Sequence, residues 1–186
     1  MKELNPTLWR TCRVLSGGNR VHLLRQIHGH PGLSVSELAK AVGIGRSDAS
    51  QELRRIQSRG LLRVERKGSR VVYRMEADPQ VTSAAPLLKA LKSAFSSFLP
   101  ERDGDLCDIA FGLAYPRRIA IAQALQAAPR ADMELCVALN LSPFAVFTHA
   151  RILRECGWIK SIDGKRHFAP PDHPLATALA RLLRDA

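Results

Sequence analysis

The sequence predicts a mainly α-helical protein with two small β-hairpins, built from one type of unit that occurs twice. The first observation is an internal repeat, because residues 9–74 and 107–168 follow one pattern about 97 positions apart. SELAKAVGI aligns with MELCVALNL, and LRRIQSRGLLR aligns with ARILRECGWIK. The second is composition: 46% hydrophobic but only 5% aromatic residues suit a core of Leu, Ala and Val. The third is that apolar residues recur at helical spacing through both copies.

The chain is strongly basic, and the charge is concentrated in the first copy. The net charge is +11 over 186 residues, and the pI is about 10.3. Residues 1–78 have a net charge of +8 from 15 Lys/Arg and 7 Asp/Glu, whereas residues 79–186 have only +3. This balance favours a polyanionic partner such as nucleic acid. The sequence contains no apolar run of membrane-spanning length and no signal peptide, so we expect a cytoplasmic protein that does not bind membranes.

The first three helices follow from their start and stop signals. An apolar stripe predicts a first helix that Gly17-Gly18 breaks, and Asn19 can cap the second helix. Ser34 and Glu37 have the spacing of a capping box at the start of a third helix. Gly43 ends that helix, and a tight turn follows.

A fourth helix and a hairpin complete the first copy. The helix covers residues 46–58 and ends before Gly60. Its inward stripe has the spacing i, i+4, i+7 and consists of Ala49, Leu53 and Ile56. Residues 61–66 and 70–75 are predicted to be strands, with Lys67-Gly68-Ser69 as the hairpin tip.

Residues 79–101 are predicted to form a connecting amphipathic helix rather than a flexible linker. The apolar stripe of this helix consists of Leu87, Leu88, Leu91, Phe95 and Phe98. The second copy repeats the order of elements, with helices over 105–114, 117–127, 132–139 and 143–156, a hairpin with Gly164 at its tip, and a last apolar helix from about 175. The predicted domains are therefore 1–78, 79–101 and 102–186.

The candidate site is the outer face of the fourth helix together with the hairpin. Two helices joined by a sharp turn can place the second in the major groove of DNA. Opposite the apolar stripe lie Arg46, Ser47, Ser50, Gln51 and Arg54. Arg46 and Gln51 can pair bidentately with guanine and adenine, while the serines suit phosphates. The basic hairpin tip, which suits phosphates or the minor groove, consists of Arg66, Lys67 and Arg70.

The first copy resembles the winged helix-turn-helix of ArsR-type bacterial repressors, and the second resembles it more loosely. The resemblance rests on Arg20, the segment from Ser47 to Gly60 and the basic wing. It implies a tandem winged helix-turn-helix regulator, in the first instance a repressor, with 46–58 as the recognition helix. Because the first and last helices of that family form a homodimer interface, residues 84–99 and 175–184 are expected to pack together. The chain would then be a monomeric pseudo-dimer with a pseudo-twofold axis; a homodimer is the alternative.

The second copy differs from the first at the reading positions. Phe144 and Phe147 stand where the first copy has Ser47 and Ser50. They could touch thymine methyl groups, bury against a neighbouring domain or protein, or belong to the core if the helix register differs. We therefore expect the second copy to be a partly degenerate DNA-binding unit. Residues that could still contact phosphates are Thr148, Arg151, Lys160, Lys165 and Arg166.

A metal sensor and an enzyme are both disfavoured by the sequence. ELCVAL in the second copy is similar to the thiolate motif ELCVCDL of ArsR-type proteins, with Cys136 at the first cysteine and Ala138 at the second. Because a soft metal needs two or three converging thiolates, Cys136 is only a weak candidate, and no metal or other cofactor is predicted. The sequence contains no Gly-rich phosphate loop, carboxylate pair or Ser/His/Asp order that would indicate catalysis.

Two functions remain in competition. The first is a sequence-specific regulator of transcription that binds double-stranded DNA through the helix at 46–58 and the wing at 66–70. The second is a tandem winged-helix adaptor that binds proteins through Phe144 and Phe147 and has only non-specific affinity for DNA. An additional small-molecule or protein effector is compatible with either function, and the sequence does not identify one.

Overall fold

The structure is a computed structural model that describes residues 7–68 and 70–184, apart from the side chain of Lys67. Ser69, predicted at the hairpin tip, lies outside the described residues. The first unit consists of α1 (Leu8–Leu15), α2 (Gly18–Gly29), α3 (Val35–Val42), α4 (Arg46–Gln57), β1 (Arg63–Lys67) and β2 (Arg70–Arg74). It is followed by the connecting helix α5 (Ala84–Ser97) and a 3-10 turn (Pro100–Arg102).

The same order of elements then occurs again. The second unit consists of α6 (Asp103–Gly112), α7 (Pro116–Ala127), α8 (Asp132–Leu139), α9 (Pro143–Glu155), β3 (Ile159–Ile162) and β4 (Lys165–Phe168), and α10 (Pro174–Arg184) follows it. The fold is thus mainly helical with two small antiparallel hairpins, as the sequence predicts. The division into domains at 78 and 101 stays a prediction.

The helix boundaries follow local chemistry. The capping box at α3 is confirmed: the backbone N–H of Ser34 donates to Glu37 Oε2 at 2.7 Å, and Glu37 N–H donates back to Ser34 Oγ at 3.4 Å. Gly43 ends α3 with a φ of +74°, a conformation that glycine adopts without strain. The prediction for α2 was wrong by two residues, because Gly17 rather than Asn19 precedes the helix. At Gly17 a Cβ would lie 2.1 Å from Nη2 of Arg20, so a larger residue there would displace the Arg20 guanidinium.

Both wings are antiparallel hairpins of two strands. In the first, Arg63 lies opposite Arg74 and Lys67 lies opposite Arg70. The observed β1 starts two residues later than predicted, because Leu61 and Leu62 are buried in the core. In the second wing, Asp163 and Gly164 have φ values of 49° and 74°, as a two-residue hairpin turn of type I′ requires.

The two units share one core. Equivalent helices pair with each other, α1 with α6 and α5 with α10, as a pseudo-twofold axis requires. The pairing of α5 with α10 is the one that the resemblance implied. Between them, α5 and α10 bury Leu87, Leu88, Leu91, Phe95, Leu175, Leu179 and Leu183. Burying this many large apolar side chains gives the pairing its stability.

One further contact joins the units through charge. Arg25 on α2 donates from Nε to both carboxylate oxygens of Asp103 on α6, at 2.9 and 2.8 Å, and from Nη2 to Oδ1 at 2.6 Å. Its Nη1 donates to the carbonyl oxygens of Phe95 and Phe98, both at 3.1 Å. Phe95 lies in the last turn of α5, where carbonyls lack intrahelical donors, and Phe98 directly follows the helix. Arg25 therefore connects both units and the connecting helix.

No single helix in the described ranges is long and apolar enough to cross a membrane. Helices α8 and α9 together have the length and composition of a span, but they are bent by 113° relative to each other.

Candidate nucleic-acid interface

The helix pair α3–α4 presents the predicted reading face to solvent. The inward stripe of α4 is as predicted, since Ala49, Leu53 and Ile56 are all completely buried. The opposite face carries the predicted polar residues: Arg46, Ser47, Gln51 and Arg54 are exposed, and Ser50 is half-buried. The register of α4 therefore turns donors and acceptors outward, as contact with base edges needs.

A groove lies between the start of α3, the outer face of α4 and strand β2. Its volume is about 390 Å³, and its lining residues are Ser34, Val35, Ser36, Arg46, Ser50, Arg54, Arg70, Val71 and Tyr73. Three of them are arginines, and no Asp or Glu is among them. Four predicted site residues, Arg46, Ser50, Arg54 and Arg70, are thus brought together from two separate elements.

The arginines on α4 and the wing fall into two groups. Three of them are already paired in salt bridges: Arg55 with Glu52, Arg63 with Glu76 at 2.7 Å, and Arg74 with Glu65 at 2.6 Å. By contrast, within residues 7–68 and 70–184, the predicted site arginines form no salt bridge; they are Arg46, Arg54, Arg66 and Arg70. These four lie along the groove or on the wing, where a polyanion could neutralise them.

The wing is held against the helix pair. An isolated β-bridge joins Ser34, the N-cap of α3, to Val72 in β2. Arg70 lies near enough to Glu37 to contribute to the lowered pKa of that carboxyl, although the hydrogen bonds from Ser34 contribute more. The side chain of Lys67 lies outside the described residues, so its predicted role stays a prediction.

Three groove residues were missed by the sequence analysis: Ser34, Ser36 and Tyr73. The sequence analysis predicts Ser34 only as a helix cap. Only the bridge to β2 shows that the start of α3 forms a wall of the groove.

The second unit presents a different surface at the equivalent place. Phe144 is 79% exposed and Phe147 is 58% exposed, so the interpretation that they belong to the core is wrong. The core positions of α9 are occupied by Val146, Ala150 and Leu153. On α8, Met133 and Val137 are also exposed, and the sequence analysis missed them. By the repeat alignment they replace Ser36 and Lys40, so an apolar patch stands where the first unit is polar.

The polar candidates of the second unit are largely engaged within the protein. Arg166 pairs with Asp132, with Nε and Nη2 each 2.9 Å from a carboxylate oxygen, and Nη1 donates to Ser161 at 2.6 Å. This pairing lowers the pKa of Asp132 and raises the pKa of Arg166. Arg151 pairs with Glu155 at 3.1 Å, and Thr148 is half-buried. Lys160 and Lys165 are exposed and form no salt bridge within residues 7–68 and 70–184.

The cysteines are poorly disposed to act as ligands. Cys136, the weak metal candidate, is buried in α8. Burial raises the pKa of Cys12 to about 12, and of Cys107 and Cys156 to about 11, so these thiols are not readily ionised. Within the described part of the chain, no group of three His, Cys, Asp or Glu side chains is placed to hold a metal ion.

Comparison with known proteins bears mainly on the first unit. Residues 17–70 match the model of the MarR family. A curated relative, the HTH-type transcriptional regulator YgaV of Escherichia coli (strain K12), is 33% identical over 61 residues. That match covers 33% of this chain and 62% of the relative. No solved structure matches the chain significantly.

These matches fit the geometry of the first unit. Residues 17–70, which hold the helix pair and the start of the wing, are similar to the MarR family, and the similarity is limited to this part of the chain. The match spans α2 to the first residue of β2 and therefore includes seven of the nine residues that line the groove. The ArsR-type assignment and the internal repeat are not confirmed by these matches.

Proposed function

We propose that the chain is a transcriptional regulator that binds double-stranded DNA in a sequence-specific manner. The observation that carries the proposal is the groove of the first unit, where unpaired arginines from α4 and β2 face solvent and no carboxylate lines the wall. Regulators of the MarR family bind double-stranded DNA, which supports the same conclusion. We assign the chain no catalytic role.

In this proposal α4 is the recognition helix. It has 12 residues, a length of about 18 Å, which suits insertion into a major groove about 12 Å wide. Arg46 lies in the first turn of the helix and Gln51 lies on the same exposed side, so these two read base edges. Ser47 and Ser50 hold phosphates, and Arg54 follows the backbone at the far end of the helix.

The wing supplies sequence-independent affinity. Arg66 and Arg70 are exposed on adjoining strands, and Lys67 belongs to the same tip. Each phosphate that such a residue neutralises releases counterions, so binding weakens as salt is raised. We assign these residues to phosphates or the minor groove.

We further propose a repressor that works as a pseudo-dimer within one chain. The resemblance noted above is to repressors, and the packing of α5 on α10 joins the two units as two protomers would be joined. Whether two chains also associate is measured by native mass spectrometry on the same sample. A cytoplasmic location and response to an effector are further expectations of this function.

A second candidate is supported by the exposed apolar patch of the second unit. Phe144 is 79% exposed and Phe147 is 58% exposed, and contiguous exposed apolar patches mark interaction sites. In this alternative the second unit binds a protein, while the first unit keeps its affinity for DNA. A pure adaptor is disfavoured by the concentration of positive charge in residues 1–78.

The experiment is selection of bound duplexes from a random pool, followed by footprinting and affinity measurements on the selected sequence. Arg46→Ala and Gln51→Ala should each cost roughly 1–3 kcal/mol and relax the preference at one position. Arg55→Ala is the matched control, because Arg55 lies on the same helix but is paired with Glu52. Lys67→Ala should weaken all sequences about equally and reduce the salt dependence. Unchanged affinity and specificity in both Arg46→Ala and Gln51→Ala would refute the assignment of α4.

The double variant Phe144→Ser with Phe147→Ser separates the two candidates in the same assay. It gives the second unit the residue types that the first unit has at these positions. If the phenylalanines contact thymine methyl groups, the variant loses part of a two-segment footprint. If they bind a protein, the affinity for DNA and the footprint stay the same.

A further inference from the structure

Each unit has an arginine near the start of its second helix, and the two units differ in the partners of this arginine. In the first unit, all three guanidinium nitrogens of Arg20 have acceptors. Nη1 donates to Glu52 Oε2 at 2.6 Å, and Nε and Nη2 donate to the carbonyl oxygens of Val14 and Arg13. This pairing joins α2 to the recognition helix α4 and neutralises the charge.

In the second unit, the equivalent Arg118 has lost these partners. Arg118 is only 5% exposed, yet within residues 7–68 and 70–184 its guanidinium forms no hydrogen bond or salt bridge. Its Nε is completely shielded from solvent without an acceptor. His149 replaces Glu52 at the equivalent position of α9, and its Nδ1 is likewise buried without a partner. Two buried polar groups that both lack partners need an explanation, since native proteins seldom leave such groups unpaired.

The surroundings of Arg118 offer aromatic rings but no counter-charge. The guanidinium carbon lies 4.6 Å from the ring centroid of Phe111 and 6.0 Å from that of Tyr115. Tyr115 also stacks on His149 at 5.1 Å, and Arg117 adds a second cation. Ring faces attract a cation but cannot accept the several N–H groups of a guanidinium in its plane. Burial lowers the pKa of Arg118, and the groups that oppose this effect are two thiols and a phenol rather than a carboxylate.

We propose that Arg118 and His149 form a binding site for a small oxyanion. The anion takes the place that the Glu52 carboxylate has in the first unit. The guanidinium binds two of its oxygens, and His149 donates from Nδ1 in the tautomer that carries a proton there. Phe111 and Tyr115, the rings beside the guanidinium, are about half exposed, so the site lies close to the protein surface.

The proposed site has a mechanical consequence. Arg118 belongs to the first turn of α7, and His149 lies in the middle of α9. An anion held by both joins α7 to α9, as the ion pair of Arg20 and Glu52 joins α2 to α4. Binding would therefore stabilise the second unit. The proposal does not depend on whether α4 binds DNA.

The test uses the full chain and inorganic phosphate, with sulfate and acetate as further probes, against chloride at constant ionic strength. Isothermal titration calorimetry and thermal unfolding should give saturable binding of phosphate and a rise in Tm. His149→Glu supplies a carboxylate within the chain at the position of the proposed anion. It should raise Tm without phosphate and weaken phosphate binding by about tenfold or more, because the carboxylate occupies the guanidinium.

Arg117→Gln is the matched control. It removes the same charge one residue away, but Arg117 is exposed, so phosphate binding should persist. If His149→Glu does not fold, Arg118→Met gives the same information, since it removes the donor and should abolish the response. The proposal is overturned if phosphate gives no saturable response, or if the response survives in His149→Glu or Arg118→Met. It is also overturned if Arg117→Gln abolishes the response, because binding would then reflect surface charge.

Discussion

The ion pair between Arg25 and Asp103 should be one of the strongest single contributions to the stability of this fold. The Arg25 side chain is 15% exposed and the Asp103 side chain is 4% exposed, so both charges are largely withdrawn from water. The perturbation is Asp103→Asn, which keeps the shape of the side chain and removes its charge. Breaking a buried pair by removing one partner costs about 3–5 kcal/mol, because the other charge stays buried without compensation.

The structure places Asp103→Asn at the lower end of that range. Arg25 would keep its hydrogen bonds to the carbonyls of Phe95 and Phe98, and its guanidinium carbon would still lie 4.7 Å from the Phe95 ring centroid. We therefore expect a loss of about 3 kcal/mol in the free energy of unfolding. Arg25→Met should cost more, about 4 kcal/mol, since it also leaves the two carbonyls without donors.

The assay is urea denaturation followed by circular dichroism, with a double-mutant cycle. Arg25→Met combined with Asp103→Leu should cost at least about 2 kcal/mol less than the sum of Arg25→Met and Asp103→Leu alone, because no buried charge is then left unpaired. Glu155→Gln is the control, since it removes the same kind of charge from the exposed pair with Arg151 and should cost about 0.5 kcal/mol or less. The reasoning is refuted if Asp103→Asn costs no more than Glu155→Gln.

Two further predictions concern packing and pH. In thermal unfolding, Gly112→Ala should destabilise the protein by roughly 1–3 kcal/mol, because the new Cβ would lie 2.4 Å from Cδ1 of the fully buried Trp158. Gly104→Ala, in the same helix, is the control. Its Cβ meets no atom within 4 Å, so it should be neutral or stabilising in the same measurement. Burial lowers the pKa of His173, whose Nδ1 accepts the N–H of Leu175 at 3.1 Å. Near pH 6.5 the unfolded chain therefore binds more protons at this histidine than the folded chain does. The free energy of unfolding should then fall as the pH drops through about 6.5. His173→Asn keeps an acceptor at the start of α10 but cannot titrate, so its Tm should fall less than that of the natural chain between pH 7.5 and 5.5; equal losses would contradict the assignment.

The sequence was most informative where a pattern repeats locally. The stripe of Ala49, Leu53 and Ile56 sets the rotation of α4, and the same stripe in α9 already turns Phe144 and Phe147 outward. Placing these phenylalanines in the core would have required a register shift, but Val146, Ala150 and Leu153 fill the core positions without one. The helix cap at the start of α3 could be predicted equally well, because Ser34 and Glu37 lie only three residues apart.

Contacts between distant residues could not be predicted in the same way. Arg25 and Asp103 are 78 positions apart, and periodicity shows which face a residue occupies but not which side chain lies opposite it. The pairing of Arg166 with Asp132 could not be predicted for the same reason. It engages, within the protein, an arginine that the sequence analysis assigned to DNA phosphates. The repeat places Arg118 at the position of Arg20, but only the structure shows that no acceptor lies beside the Nε of Arg118.

The asymmetry between the units bears on how many phosphates the protein can neutralise. The first unit offers four unpaired arginines and Lys67, whereas Arg151 and Arg166 of the second unit already pair with acids. If the first unit alone binds DNA and Arg46 reads a base edge, the other four cations should neutralise about four phosphates, for which the slope of log K against log salt is about −3.6. If Lys160 and Lys165 also contact the backbone, the slope should approach about −5.4. The salt dependence thus reports whether the second unit touches DNA, and it does so without knowledge of the bound sequence.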